Sequence, residues 1–451
     1  MAADPLVRPA GAVAADVLIR GAHVLDPRTG IDEPRDVLVR DGAIAEIGAP
    51  GAVAAGGRDG VTEVVEAAGR HLFPAFVDPH VHFRTPGQEH KEDLETGTSA
   101  AAAGGFCAVL AMPNTDPVLD SAPLLRSVRD AAERDARIPV GFVPAITRGM
   151  RGAELTEMAE LRQEGAAGFT DDGKPVVSAG MLRKALQYQR LCGGVLALHE
   201  EDPSLSGAGA MHEGDVSALL GVAGIPSISE ATMVARDAML AGYEDGRIHI
   251  QHVSAAETLQ AVADAKARGV QITCEASPHH LTLTHEAVRT LDTRMKMNPP
   301  LRTEADRQAL IEGLRSGVVD CIATDHAPHA RDEKEVPFEQ APMGTTGLET
   351  SFAAVYTDLV RPGVLPLELV VRKLSDGAAL FDLPTPKIAP GERANLTLVD
   401  LDAEWTVGEG GYASRSANCC FDGRRLHGKV LLTIADGAIA YRARQLQMVA
   451  A

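Results

Sequence analysis

The chain has 451 residues, 45% of them hydrophobic and 23% charged, an ordinary globular composition with enough apolar material for a large core and a smaller companion domain. Its 43 basic residues against 62 acidic ones leave a net charge of −19, which repels polyanions and argues against nucleic acid as a partner. No apolar run is long enough to cross a bilayer, and Cys107, Cys192, Cys274, Cys321, Cys419 and Cys420 form neither a CxxC pair nor a secreted framework, so they read as reduced, buried thiols of a cytoplasmic protein.

In chain order, residues 1–66 carry short β-rich runs broken by turns, "ADVLIRGAHVLD", "RDVLVRDGAIAEIG" and "VTEVVEA", which predict a small antiparallel sheet. The same texture returns over residues 388–451 in "ANLTLVDL" and "HGKVLLTIADGAIAYR", where "DGAIA" from Asp436 repeats "DGAIA" from Asp41. Matching ends around a different middle predict one β-sandwich domain assembled from both termini. Residues 67–387 alternate apolar runs with amphipathic segments, the rhythm of a parallel sheet. The runs are "HLFPAFVDPHVHF", "GFCAVLAMPN", "IPVGFVPAIT", "GAAGFTDD", "GGVLALHEE", "RIHIQHVS", "GVQITCEASPHH" and "GVVDCIATDHAPH". About eight such units predict a TIM-type (β/α)8 barrel. Among the helical segments, "SISEATMVARDAMLAGYE" opens with a predicted capping box between Ser227 and Glu230.

Polar residues gather at the C-terminal ends of these runs: Asp78, His80 and His82; Asn114; Asp171 and Asp172; His199; His252; Asp325 and His329. Active sites of such barrels are built at that end of the strands, so these residues are expected to converge. His80 and His82 alternate by two along a strand and face the same way, as two imidazole ligands of one ion would. An HxH pair alone is weak, because core and surface histidines produce it too. A carboxylate on the fourth run (Asp172), His199, His252 and Asp325 make packing a poor explanation, since buried ionisable groups are costly unless paired or metal-bound. The nitrogen and oxygen donors suit Zn²⁺, one or two ions, with Asp325 acting as ligand, general base or both. Arg84 can fork a carboxylate or form a surface ion pair, Asn114 and Asn298 can bind an amide or shape turns, and His329 can touch substrate or hold its loop. Pro337 to Thr350 reads as a backbone-donating loop over the site. His279 and His280 read as structural.

Taken in order, "DPHVHFRTPG", "MPNT", "GFTDDGKPV", "LALHEED", "IHIQHVS", "NPPLR" and "CIATDHAPH" resemble the bacterial class I dihydroorotases of the amidohydrolase superfamily over nearly the whole chain. The resemblance implies zinc-dependent, reversible interconversion of N-carbamoyl-L-aspartate and L-dihydroorotate in pyrimidine biosynthesis. It further implies one metal on His80, His82 and Asp325, a second on His199 and His252, Asp172 between them, and Asp325 as catalytic acid/base. Substrate binding would fall to His82, Arg84, Asn114, Asn298, His329 and the Met343-Gly344 backbone. Many relatives bridge their metals with a carboxylated lysine where this chain has Thr170-Asp171-Asp172-Gly173. The choice of Asp172 over Asp171 follows the family pattern, with Lys174 two residues beyond. The resemblance leaves room for a homodimer and for docking on aspartate transcarbamoylase. The competing readings are a cyclic amidase of the dihydropyrimidinase or allantoinase type, which Arg84 with Asn114 and Asn298 disfavours because dihydrouracil offers a guanidinium no carboxylate, and a non-catalytic scaffold, which the filled ligand positions disfavour.

Overall fold

The computed structural model describes residues 3–55, 63–446 and 449–450. Eight strands form the barrel: β1 (Phe76–Val81), β2 (Phe106–Ala111), β3 (Val140–Phe142), β4 (Phe169–Thr170), β5 (Leu196–Leu198), β6 (Ile248–Ile250), β7 (Ile272–Ala276) and β8 (Cys321–Ile322). The pairs β1–β2, β2–β3, β4–β5, β5–β6, β6–β7 and β7–β8 are all parallel. Two joints complete the ring. Between β3 and β4, Ala167 N donates to Phe142 O at 2.9 Å and Thr170 N to Pro144 O at 3.0 Å. Between β8 and β1, Val81 bridges His326 in parallel, and His82 N donates to His326 O at 2.9 Å.

The strands are uniformly apolar because both of their faces are covered, by side chains inside the barrel and by helices outside. Every residue of β1 and β2 is buried, and Phe76, Phe106, Val109 and Leu110 belong to the main core. The outer helices begin where the chain supplies caps. Asp93 and Thr96 form a capping box for Leu94–Ala103, as do Thr303 and Asp306 for Glu304–Ser316, which ends on left-handed Gly317.

The predicted Ser227–Glu230 box does not form. Ser227 makes no side-chain cap bond to the helix Ile228–Glu244. The Glu230 carboxylate turns inward and accepts from Ser254 N at 2.9 Å, from Ser254 Oγ and from Ala255 N, just past the end of β6. A buried cluster of donors outcompetes the exposed cap.

Strands from both ends of the chain make a nine-stranded sheet. Alternation sorts its side chains: Val17 and Ile19 enter the core shared with Leu72, Leu396 and Ile434, while Leu18 packs with Leu38 and Val64 on the other face. Phe73, Val399 and Val430 belong instead to the barrel core, so the sheet is seated on the barrel. The sheet is mixed rather than antiparallel, because Val17–Asp26 runs parallel to both Glu63–Glu66 and His71–Pro74. A second difference concerns the start of the chain. Leu6–Val7 leaves the sheet and pairs antiparallel with β3, an edge left available because β4 meets β3 only near its C-terminal end. Among the described residues no helix is long and apolar enough to cross a membrane, and all six cysteines are free, with Cys192 only half-buried.

The Asp26 carboxylate joins the two halves of this sheet domain, accepting from Arg28 N at 2.8 Å and from Ile388 N at 2.7 Å. Asp26→Ala leaves a buried N–H unpaired and is expected to lower the unfolding free energy by about 1–3 kcal/mol. Urea denaturation followed by circular dichroism checks this, and metal content should stay unchanged.

Candidate active site

The ring delivers its polar strand ends to one mouth. A cavity of about 320 Å³ there is lined by His82, Arg84, Asn114, Asp172, Gly173, His199, His252, Asn298, Asp325, Ala327, His329, Met343 and Gly344. Beneath it lies His80, fully buried at the end of β1.

Asp172 sits at the centre. Its Oδ1 lies 3.5 Å from His80 Nε2, 3.4 Å from His252 Nε2 and 3.7 Å from His199 Nδ1. Its Oδ2 lies 3.3 Å from His82 Nε2. Asp325 Oδ1 completes the other side, 3.1 Å from His82 Nε2 and 3.6 Å from His80 Nε2. Two groupings follow, His80–Asp172–His252 and His80–His82–Asp325, each with ligand atoms close enough to share a cation. Burial alone would raise both carboxylates, but the surrounding imidazoles overcome it: Asp172 stays well below the usual range, and Asp325 falls to about 2.

Asp171 points elsewhere, accepting from Thr147 N at 3.0 Å and from Thr147 Oγ1, and Lys174 is exposed. His279 and His280 stay out of both groupings, and His280 Nε2 donates to Pro299 O at 2.9 Å.

The histidines are aimed by their second nitrogens. His80 Nδ1 donates to Glu275 Oε1 at 2.6 Å and His82 Nδ1 to Asn114 Oδ1 at 2.7 Å, which turns each Nε2 toward the carboxylates, as a donor when the ring is protonated and as a ligand when a cation is bound. Glu275 also accepts from His249 Nε2 at 3.0 Å and from His252 N at 3.2 Å. Sequence reading passed over this residue, although a glutamate inside the apolar run "ITCEA" was a signal. The arrangement fits a metal. His80 Nε2 and Asp172 Oδ1 are buried without a hydrogen-bond partner, and His199 Nδ1 and His252 Nε2 stand 2.9 Å apart, a spacing that needs a proton or cation between them.

Arg84 enters the cavity from the β1 loop with a left-handed backbone, φ +58°. Its Nε donates to Pro328 O at 3.1 Å, and no ion pair engages its guanidinium among the described residues. Burial pushes it down to about 10, leaving it a cation at neutral pH. The two asparagines present complementary ends. Asn114 spends its oxygen on His82 and keeps its NH₂, whereas Asn298 donates its NH₂ to Glu201 at 2.6 Å and leaves Oδ1 unpaired. His329 Nε2 donates to Met343 O at 2.8 Å, and burial beside Arg84 lowers the ring to about 3, so it is neutral. Met343 and Gly344 line the cavity, but the Gly344 N–H is donated to Lys296 O at 2.9 Å.

Residues 69–258 match the dihydro-orotase-like family, and residues 235–440 the amidohydrolase family. A dihydroorotase of Pelotomaculum thermopropionicum is 44% identical over 432 residues, spanning 96% of this chain and all of that protein. The chain belongs to the dihydroorotase family. A second member of it, from Anaeromyxobacter sp. (strain K), is 46% identical over 95% of this chain and 98% of its own length. Among solved structures, the L-hydantoinase (dihydropyrimidinase) of Arthrobacter aurescens superposes with a TM-score of 0.82 at 24% identity over 97% of this chain and 98% of that one. The dihydropyrimidinase of Brevibacillus agri NCHU1002 gives 0.82 at 22% identity, covering 96% of each chain. Both likenesses speak to the fold alone, and the family's hydrolytic, metal-dependent character agrees with the ligand groupings in the mouth.

Glu275→Gln keeps the shape of the side chain but removes the charge that orients His80. Metal affinity is expected to fall about 10- to 100-fold, read by metal content after dialysis against graded chelator.

Proposed function

We propose that this enzyme is a cytoplasmic, zinc-dependent dihydroorotase that interconverts L-dihydroorotate and N-carbamoyl-L-aspartate. The observation that carries the substrate choice is Arg84, a buried guanidinium beside the metal-ligand groupings that has no ion pair among the described residues. Leaving such a charge unmatched is costly, and the ring carboxylate of dihydroorotate would match it, whereas dihydrouracil has none to offer.

His80, His82 and Asp325 would hold one zinc, His199 and His252 a second, with Asp172 shared. When bound, the metal lowers the pKa of water and polarises the scissile carbonyl. Arg84 anchors the substrate carboxylate, while the Asn114 NH₂ and the Asn298 oxygen pair with an acceptor and a donor of the cyclic ureide. Neutral His329, fixed by Met343 O, adds a polar contact on the same side. Asp325 accepts a proton from the attacking water and delivers it to the ring nitrogen as the C–N bond breaks, so the ring opens with its protons balanced. In the reverse direction the same carboxylate takes the proton from the carbamoyl nitrogen.

The first test is hydrolysis of L-dihydroorotate by the purified chain with bound metal quantified on the same sample, and with dihydrouracil and allantoin as rivals. Turnover of dihydroorotate alone is expected, and turnover of a rival instead overturns the assignment of Arg84. Asp325→Asn is expected to lower kcat by about 10²- to 10⁴-fold. Arg84→Met should cost about 2–5 kcal/mol in kcat/KM, mostly through KM, because it strips one partner from a desolvated charge pair. Steady-state kinetics separates the two.

A further inference from the structure

We propose that Asn418 is a positioning residue for substrate binding, clamping the two loops that form the substrate side of the cavity; the inference rests on the function proposed above. Asn418 lies in the segment between the strands Leu396–Thr406 and Arg425–Ala435, outside the barrel. It is buried, it does not line the cavity, and every polar group of its side chain is engaged. Its Oδ1 accepts from His329 N at 3.1 Å, and its Nδ2 donates to Ala327 O at 3.1 Å and to Gly344 O at 3.1 Å. Ala327, His329 and Gly344 all line the cavity, so one amide reaches the site through three backbone groups on two loops.

The backbone around Asn418 reinforces the tie. Its carbonyl accepts from Thr345 Oγ1 at 3.1 Å, and Cys420 N donates to the same hydroxyl at 2.8 Å. The two loops also touch each other directly, with Ala327 N donating to Thr345 O at 2.9 Å. Their fit is tight at Gly344, whose φ is +141° and where an added Cβ would lie 2.9 Å from Ala327 Cβ and 2.9 Å from His329 Nε2. A small tilt of the Gly344 peptide therefore moves the His329 ring, because that ring is tethered to the adjoining Met343 carbonyl.

The chemistry selects an amide. One N–H and two carbonyls converge on this point, and a short amide supplies one acceptor and two donors to meet them. An aspartate in its place would turn oxygen toward two carbonyls, and an alanine would leave all three backbone groups unmet.

The test compares metal-loaded wild type with Asn418→Ala, Asn418→Asp and the milder Thr345→Val, which removes the hydroxyl tie while keeping the Asn418 side chain. Measured are KM and kcat for L-dihydroorotate, metal content, and amide hydrogen exchange over residues 325–330 and 343–347. The clamp predicts KM raised tenfold or more in Asn418→Ala, at least as much in Asn418→Asp and less in Thr345→Val. Metal content should match wild type, kcat should stay within threefold, and exchange should quicken in both loops. Should Asn418→Ala fail to fold, Thr345→Val carries the same comparison. Unchanged KM with unchanged exchange overturns the inference, as does joint loss of metal, kcat and thermal stability, the pattern of a purely structural residue. If wild type does not turn over dihydroorotate and exchange still quickens in the variants, the functional reading falls and the clamp stands.

Discussion

One carboxylate in the floor of the barrel sets the geometry above it. Glu275, on β7, receives hydrogen bonds from His80 on β1, from His249 on β6 and from the backbone of His252 just past β6. A buried charge of this kind is expensive, and it persists because three donors and the nearby imidazoles hold it ionised, well below the ordinary glutamate range despite its burial. Its effect is to choose which nitrogen of His80 faces the mouth. Asp78 plays a parallel part at the β1–β8 joint, taking Thr324 Oγ1 at 2.5 Å and His80 N at 3.1 Å, while burial raises its own carboxyl to about 7. Ring closure and ligand orientation thus depend on the same few hydrogen bonds.

The site divides by mechanical character. The ligand side grows from strand ends whose registers are fixed by neighbours on both edges, which suits a geometry that tolerates little error. The substrate side is carried by loops. Backbone strain falls on both sides, at three non-glycine residues with positive φ: Arg84 at +58° on the substrate side, and the ligand-side residues His252 at +33° and Asp325 at +47°. Such conformations cost of order 1–3 kcal/mol each and persist only where the surroundings over-determine them. Here the surroundings are the Pro328 carbonyl under Arg84, the Glu275 carboxylate on His252 N, and the His82 ring beside Asp325.

Much of this was legible in the chain because the barrel converts position along the sequence into position in space. Each apolar run ends at the mouth, so the polar residues clustered at the run ends brought His80, His82, His199, His252 and Asp325 together, while the choice of Asp172 over Asp171 came from the family pattern. Four things escaped. Glu230 carries a helix-start signature, yet its carboxylate is drawn to Ser254, because a tertiary cluster offers more donors than a helix end. Glu275 sits mid-strand, where the apolar pattern invites the reader to pass over it. Asn418, between an alanine and two cysteines, has no spacing that announces it, since its partners are backbone groups set by the fold. The parallel neighbours of Val17–Asp26 were hidden for a related reason: sequence neighbours suggest hairpins, whereas the returning strand His71–Pro74 enters from a long excursion.

That sheet has a consequence for how the molecule comes into being. His71–Pro74 hydrogen-bonds Leu396–Val399, so the strand that leads into the barrel waits for a partner that emerges from the ribosome after the whole barrel. Pairing across such a separation forfeits far more chain entropy than a hairpin does, and it comes late. The nascent barrel must therefore gather its strands while one face of its supporting sheet is unfinished, with the Phe73 and Phe76 side of the core still short of Val399 and Val430. Synthesis in order brings the segment that carries Asn418 last, so the bonds from Asn418 to Ala327, His329 and Gly344 form only after the loops they join have been made.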